Sequence, residues 1–164
     1  MLRHQSCVHF IMSLETLLTR DAVVCDLKAS GKKQLMQELA SLASERSDVD
    51  KDIIYSALLE REQLGATSVG DGVAIPHARL PNLDDVAGVF VRLAQPIDYD
   101  AADEQPVDLV FMLLAPEAAN AEHLRALAKI SRLFRKEDLR DSLRGADGGD
   151  AMFLTLTEQQ AKAA

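Results

Sequence analysis

The chain has 164 residues, a length that suits one domain with a substantial buried core. Hydrophobic residues make up 48% and charged residues 27%, as in globular proteins, and no apolar run approaches the roughly 20 residues of a membrane-spanning helix. The formal net charge of −8 argues against unspecific binding to nucleic acid or to anionic membranes, whereas an acidic surface can steer a basic protein partner.

The amino-terminal segment 1–12 lacks the long apolar core of a signal peptide. We therefore expect a disordered extension at 1–12, followed by a single domain at 13–158. The two cysteines, Cys7 and Cys25, do not make a disulfide framework, so a cytoplasmic, reducing compartment is expected. Cys25 is predicted to be a small buried residue of a strand.

The first half of the domain is predicted to be mainly helical. A short helix over 13–18 is followed by a strand over 23–27, where β-branched residues run without a breaker. The next segment is helical, because leucines recur at helix spacing at Leu35, Leu39 and Leu42. Another helix is predicted to begin at Asp50 or Asp52 and to end near Gly65. Its expected apolar face consists of Ile53, Ile54, Ala57, Leu58 and Leu64.

The second half carries three predicted strands, at 73–75, 86–93 and 107–114. The last of these is apolar on both faces, which indicates a sheet covered on both sides. Asn120 is predicted to cap a helix with the apolar residues Leu124, Leu127, Ile130 and Leu133. Two further helices are predicted, at 136–144 and around 152–156. Helices between buried strands predict the α/β class, as a three-layer α/β/α sandwich.

A histidine behind a glycine-rich turn is the most informative feature of the chain. Residues 70–79 read Gly-Asp-Gly-Val-Ala-Ile-Pro-His-Ala-Arg. The glycines allow positive φ, while Pro76 fixes its own φ and holds Ile75 extended. We expect a turn, a short strand and then a break that leaves His77 at the edge of a sheet, available for chemistry near neutral pH. The alternative is an ordinary surface-loop histidine.

Groups suited to an anion surround this histidine in the sequence. Thr67 and Ser68 supply hydroxyls, the glycines free backbone N–H groups, and Arg61 and Arg79 supply cations. A phosphate dianion requires such donors, so a nucleophile beside them suggests phosphoryl transfer. The hydroxyls equally suit a role in satisfying the turn, and Arg61 equally suits a solvated helix surface within its Glu-Arg-Glu cluster.

Residues 59–80, Leu-Glu-Arg-Glu-Gln-Leu-Gly-Ala-Thr-Ser-Val-Gly-Asp-Gly-Val-Ala-Ile-Pro-His-Ala-Arg-Leu, resemble the IIA proteins of the fructose/mannitol type. These belong to the bacterial phosphoenolpyruvate-dependent phosphotransferase system, and the likeness is greatest to its nitrogen-regulatory IIA proteins. The segments 105–116 and 122–124 carry the same resemblance, which extends from about residue 13 to about residue 143. Since the family-like sequence begins there, Met12 is an alternative start to Met1.

The resemblance implies a mannitol-type IIA fold with a mixed sheet and assigns roles to several residues. His77 would attack a phosphoryl group through Nε2 and form a phosphohistidine. Arg61 would favour the neutral imidazole and stabilise the transferring charge. His123 would stand beside His77 as an auxiliary hydrogen-bonding residue, although its pattern alone favours a half-buried helix histidine. Thr67 and Ser68 would hydrogen-bond the phosphoryl oxygens.

The sequence departs from the commonest family pattern at several positions. Ala66, Ser68, Asp71 and Ala78 stand where the family often has serine, glycine, asparagine and glycine. A serine at 68 would be strained if that position needs positive φ. No cofactor is expected, because the phosphoryl donor would be another protein's phosphohistidine. No metal is expected either, since His77 and His123 have no apparent third ligand.

The function that the resemblance implies is that of a phosphoryl carrier and regulator. It would accept its phosphoryl group from a histidine-phosphocarrier protein, with targets such as potassium transporters or sensor kinases, and with neither nucleic acid nor membrane insertion. The absence of a membrane domain or a IIB-like domain favours regulation over sugar uptake. The alternatives are a sugar-specific IIA component that passes phosphate to a IIB subunit, and a pure binding module, against which His77 argues.

Overall fold

A computed structural model describes residues 13–163, so the extension predicted at 1–12 lies outside the described residues. The helices are α1 (Leu14–Leu17), α2 (Lys32–Glu45), α3 (Lys51–Gln63), α4 (Asn120–Phe134), α5 (Glu137–Gly145) and α6 (Gly149–Ala163), with a 3₁₀ turn at Arg20–Ala22. The strands are β1 (Val23–Leu27), β2 (Ser68–Gly70), β3 (Val73–Ala74), β4 (His77–Leu80), β5 (Ala87–Ile97) and β6 (Val107–Pro116).

The strands form one mixed sheet in the order β1-β5-β6-β3-β2, with β4 pairing with β6 beyond the end of β3. The central β5 and β6 are antiparallel, with Phe90 opposite Phe111. β1 runs parallel to β5, and both β3 and β4 run parallel to β6. Helices cover the sheet on both sides, which confirms the three-layer α/β/α prediction and its mixed sheet.

The core is centred on β6, whose side chains are almost all buried, as its apolar run predicted. An aromatic cluster joins this strand to β5 and α4. The ring centroid of Phe134 lies 5.8 Å from that of Phe90 and 6.1 Å from that of Phe111. Aromatic rings at these separations pack favourably, so the cluster fixes α4 against the sheet.

Helix α3 begins where its capping residue predicts. The carboxylate of Asp50 accepts the backbone N–H of Asp52 at 2.7 Å and satisfies one free donor of the first turn. Ile54 and Leu58 are buried, but Ile53 is 46% exposed and Leu64 is 82% exposed. The apolar face predicted for this helix was therefore too wide, because Leu64 lies beyond the last helical residue and faces solvent.

Helix α4 also corrects a prediction. Ala119 occupies the N-cap position, whereas Asn120 is the first helical residue and its side-chain oxygen accepts a hydrogen bond from Arg79. Leu124, predicted to belong to the apolar face, is 65% exposed. Cys25 lies in β1 as expected but is only partly buried.

Strand β4 was not predicted, because Pro76 was expected to end the preceding strand with a break that leaves His77 at the edge of the sheet. Proline lacks an N–H but keeps its carbonyl oxygen, and this oxygen accepts the N–H of Leu113 at 2.9 Å. The chain therefore stays beside β6 and resumes pairing at once, with His77 opposite Leu113. The short β2 was missed as well, because three residues between turns carry little periodicity.

Within residues 13–163 no helix has both the length and the apolar character needed to cross a membrane.

Candidate functional site

Three of the predicted site residues meet in a shallow surface depression. His77 comes from the start of β4, Arg61 from the last turn of α3, and His123 from the first turn of α4. Exposed Leu64 and Leu124 stand beside them in the wall of the depression. Segments far apart in sequence thus bring together an imidazole pair, a guanidinium group and apolar side chains.

The turn ahead of β3 requires its glycines. Gly70 and Gly72 have φ of 93° and 78°, and Asp71 between them has φ of 57°. A Cβ atom on Gly72 would lie 2.5 Å from Nη2 of Arg144 and 3.0 Å from a carboxylate oxygen of Asp108. Arg144 donates to the Asp71 carbonyl oxygen at 2.6 Å and to the Asp108 carboxylate at 2.9 Å, so α5 holds this turn in place.

The ring of His77 is fixed by a hydrogen bond at each nitrogen. Nδ1 lies 2.9 Å from the carbonyl oxygen of Ile75, and Nε2 accepts the Nε–H of Arg61 at 3.2 Å. A carbonyl oxygen can only accept and a guanidinium can only donate. In the neutral ring Nδ1 therefore carries the proton, and Nε2 presents a lone pair next to Arg61.

The surroundings of His77 favour this neutral form. Burial is the main cause that lowers the pKa of His77 below its usual value of 6.5, and the positive charge of Arg61 lowers it further. The bond to the Ile75 carbonyl and the charge of Glu62 act in the opposite direction. At neutral pH the imidazole is consequently uncharged and able to act as a nucleophile.

His123 is a second neutral imidazole at the same site. Its ring centroid lies 5.5 Å from that of His77, and the residue is only 7% exposed. Burial, followed by the neighbouring His77 and Arg79, lowers the pKa of His123 to about 4. Its Nδ1 is buried without a hydrogen-bond partner among the described residues. The two histidines therefore form an uncharged pair beside a cation.

Residues 16–159 match the family described as phosphoenolpyruvate-dependent sugar phosphotransferase system, EIIA 2. The chain belongs to this family. A nitrogen regulatory protein of Bradyrhizobium diazoefficiens is 46% identical over 153 residues, which cover 93% of this chain and 100% of that protein. The similarity extends over nearly the whole EIIA domain and includes the segments that supply His77, Arg61 and His123.

Solved structures of EIIA proteins share the fold. The nitrogen regulatory protein IIA-Ntr from Neisseria meningitidis superposes with a TM-score of 0.84 at 35% identity, over 88% of this chain and 99% of that one. The mannitol IIA of Escherichia coli superposes with a TM-score of 0.73 at 18% identity, over 85% of this chain and 98% of that one. The second comparison shows the mannitol-type fold alone, since its sequence identity is low.

Thr67 is placed differently from the expectation for an EIIA phosphoryl ligand. It is 6% exposed, and its hydroxyl donates to the Glu62 carboxylate and lies 2.9 Å from the Tyr99 hydroxyl. The hydroxyl is thus directed into the interior and corrects the expectation that it holds a phosphoryl oxygen. Ser68 lies in β2, outside the lining of the depression, and has no positive φ, so the expected strain is absent.

Glu62 and Tyr99 are the residues near the EIIA site that sequence reasoning missed. Glu62 is 8% exposed although it belongs to a Glu-Arg-Glu cluster, and Tyr99 is fully buried. Charge clusters on helices are mostly solvated, and the partners of Glu62 come from distant segments, so no local signal marked it.

Within residues 13–163 no group of three or more His, Cys, Asp or Glu side chains has an arrangement that could hold a metal ion.

Proposed function

We propose that this EIIA domain is a phosphoryl carrier and regulator of the nitrogen-regulatory branch, phosphorylated on Nε2 of His77 by a histidine-phosphocarrier protein. The observation that carries the proposal is the ring geometry of His77. Nδ1 is bonded to the Ile75 carbonyl, so the lone pair is on Nε2, next to the Arg61 guanidinium. The 46% identity to a nitrogen regulatory protein supports the regulatory branch.

The transfer needs no general base at this site. The Nε2 lone pair of His77 attacks the phosphorus of the donor's phosphohistidine, a bond forms between Nε2 and phosphorus, and the electron pair of the broken N–P bond returns to the donor ring. Nδ1 keeps its proton, and its bond to the Ile75 carbonyl stabilises the ring as positive charge develops on it. Arg61, 3.2 Å away before reaction, turns its N–H groups to the phosphoryl oxygens.

The surface around the depression suits a protein donor. Leu64 and Leu124 are 82% and 65% exposed, and a shallow apolar rim lets a partner's histidine reach Nε2. Glu60 and Glu117 lie in the same lining and balance the charges of Arg61 and Arg79 there, while the chain as a whole carries a net charge of −8. These features favour a donor with an apolar contact face flanked by basic residues.

The direct test is incubation with phosphoenolpyruvate and the general phosphotransferase proteins, followed by intact mass measurement. The wild type should gain one phosphoryl group, and His77→Ala should gain none. His123→Ala serves as the matched histidine control and should still become phosphorylated, at a lower rate. Phosphorylation of His77→Ala at the wild-type rate would refute the assignment.

A sugar-specific IIA component is the second candidate, because the description of the matching family names sugar phosphotransfer. Such a protein would pass the group rapidly to a fructose/mannitol-type IIB subunit. A regulator would instead bind different partners in its two states, since a phosphoryl group adds about −1.5 to −2 charges at the centre of the contact surface. Potassium transporters and sensor kinases are the proposed targets.

The two candidates are separated by presenting the enzymatically phosphorylated protein to a purified IIB subunit and, separately, to cell extract. Loss of phosphate to IIB within seconds, together with identical partners for both states, would favour sugar transport. Retention of phosphate and a change of partners with phosphorylation would favour regulation.

A further inference from the structure

The carboxylate of Glu62 is buried and receives four donors on the side of α3 turned away from the depression. One oxygen accepts the Tyr99 hydroxyl at 2.8 Å and the Thr67 hydroxyl. The other accepts the Lys32 ammonium at 2.8 Å and the backbone N–H of Thr67 at 3.3 Å. With every lone-pair direction engaged, the carboxylate holds residue 67 by both its side chain and its backbone.

These contacts belong to a closed circuit that includes the nucleophile. The carbonyl oxygen of Thr67 accepts the N–H of Ile75 at 2.9 Å, and the carbonyl oxygen of Ile75 lies 2.9 Å from Nδ1 of His77. Nε2 of His77 accepts from Arg61, which precedes Glu62 in the chain. Ile75, whose carbonyl sets the proton position on His77, is thus connected to α3 by two routes, one through Thr67 and Glu62 and one through His77 and Arg61.

The charge of this buried carboxylate is compensated locally. The ammonium of Lys32 contacts the carboxylate and lies 4.4 Å from the centre of the Tyr99 ring, a cation–π arrangement. Burial, and next the charge of Glu62, raise the pKa of Tyr99, so its hydroxyl stays protonated and remains a donor. The Glu62 carboxylate therefore has a hydroxyl donor on one oxygen and a cation on the other.

We propose that Glu62 is a positioning residue for phosphoryl transfer: by fixing residue 67, its carboxylate fixes the Ile75 carbonyl and so holds His77 in the form that carries its proton on Nδ1. This role rests on the proposed function of His77. Glu62 itself does not line the depression, and it acts only through Thr67 and Ile75.

The test compares Glu62→Gln with the wild type in two measurements. First, the ¹⁵N shifts of the His77 ring in the unphosphorylated protein report which nitrogen carries the proton, and a pH titration gives the pKa of His77. Second, single-turnover transfer from the phosphocarrier gives the rate. Glu62→Gln should shift the ring from mainly Nδ1–H towards a mixture of both forms. It should also lower the pKa of His77, because the charge that raises it is lost, and slow transfer towards the about 100-fold loss that a misplacement of about 1 Å can cause.

Leu156→Ala is the stability control, because Leu156 is fully buried on α6 outside this circuit. It should lower Tm at least as much as Glu62→Gln while leaving the His77 proton position and the transfer rate unchanged. If Glu62→Gln changes Tm alone, Glu62 is merely structural and the proposal is overturned.

If Glu62→Gln does not fold, the same NMR measurement on Thr67→Val and Tyr99→Phe tests the proposal. Each of these variants removes one hydroxyl donor and keeps the Glu62 carboxylate. Both should shift the ring in the same direction to a smaller extent, and an unchanged ring in both overturns the proposal. If wild-type protein accepts no phosphoryl group, the proposed function fails instead, while the NMR comparison still judges the positioning of His77.

Discussion

The Nε–H of Arg61 points at Nε2 of His77 across 3.2 Å, while the ring's other nitrogen is bonded to the Ile75 carbonyl. A cation that faces the lone pair of a neutral imidazole disfavours protonation of that nitrogen and lies where negative charge arrives during phosphoryl transfer. The pair thus favours the neutral imidazole that the proposed nucleophilic role of His77 requires.

Replacement of either neighbour of His77 should slow transfer without abolishing it. Removing a donor aimed at transition-state charge costs about 2.7–4 kcal/mol in a closed site, and less in an open one. Arg61→Ala and His123→Ala should therefore remain folded and accept phosphate more slowly in single-turnover measurements. Unchanged rates in both variants would sink this account of their role.

The pH dependence of stability should carry a contribution from His123. Its pKa is lowered from 6.5 to about 4 in the folded chain, so protons bind the unfolded chain first as the pH falls. The contribution of neutral His123 to the free energy of unfolding is fully present above about pH 6.5. It declines as the pH falls from 6.5 to 4 and changes no further below pH 4. The loss is about 1.36 kcal/mol for each unit by which the folded and unfolded pKa values of His123 differ. Urea unfolding at pH 7.5 and at pH 5 gives the free energy of unfolding of the wild type and of His123→Gln. Between the two pH values this free energy should fall less in the variant than in the wild type. Equal declines would contradict the burial of a neutral imidazole.

The turn before β3 should not tolerate a side chain at position 72. Gly72→Ala meets Arg144, Asp108 and the Pro106 carbonyl and also has a φ of 78°, so we expect a loss of about 1–3 kcal/mol in the free energy of unfolding. Gly148→Ala is the matched control, because a Cβ there has nothing within 4 Å and its φ is not in the left-handed region. Chemical denaturation of both variants measures the difference, and equal stabilities would show that the turn is not held as described.

The exposed leucine beside the depression should matter for docking and not for folding. Leu64→Glu adds charge to an 82% exposed position at the rim, so it should weaken productive binding of the phosphocarrier and leave Tm unchanged. Leu154→Glu, at a 45% exposed position on α6, is the control and should behave as wild type. Transfer rates over a range of phosphocarrier concentrations test this, and identical curves for the two variants would remove Leu64 from the contact surface.

The sheet and the main helices were predictable because their signals are local. The apolar run of β6 and the cap formed by Asp50 each depend on neighbouring residues. The structure confirms the buried strand predicted from the first and the helix start predicted from the second. Strand β4 was hidden because its pairing depends on a carbonyl of Pro76 that meets Leu113, a contact that no local pattern contains.

The candidate site was only partly predictable for the same reason. His77 is preceded by a recognisable glycine turn, whereas the burial of Glu62 depends on Lys32 and Tyr99, which lie 30 or more positions away in the sequence. The hydroxyl of Thr67 was assigned to the phosphoryl group because residue type suggests a donor without giving its direction. Leu64 and Leu124 fit helical spacing, but surfaces that contact partners also carry apolar residues.

The central claim is that Nε2 of His77 carries the phosphoryl group, and ¹⁵N NMR of the enzymatically phosphorylated protein tests it most directly. Phosphorylation should move the Nε2 resonance of His77 and leave its Nδ1 protonated and bonded to the Ile75 carbonyl, with His123 unmodified. A phosphoryl group on Nδ1 of His77, on His123 or on any other residue would contradict the account.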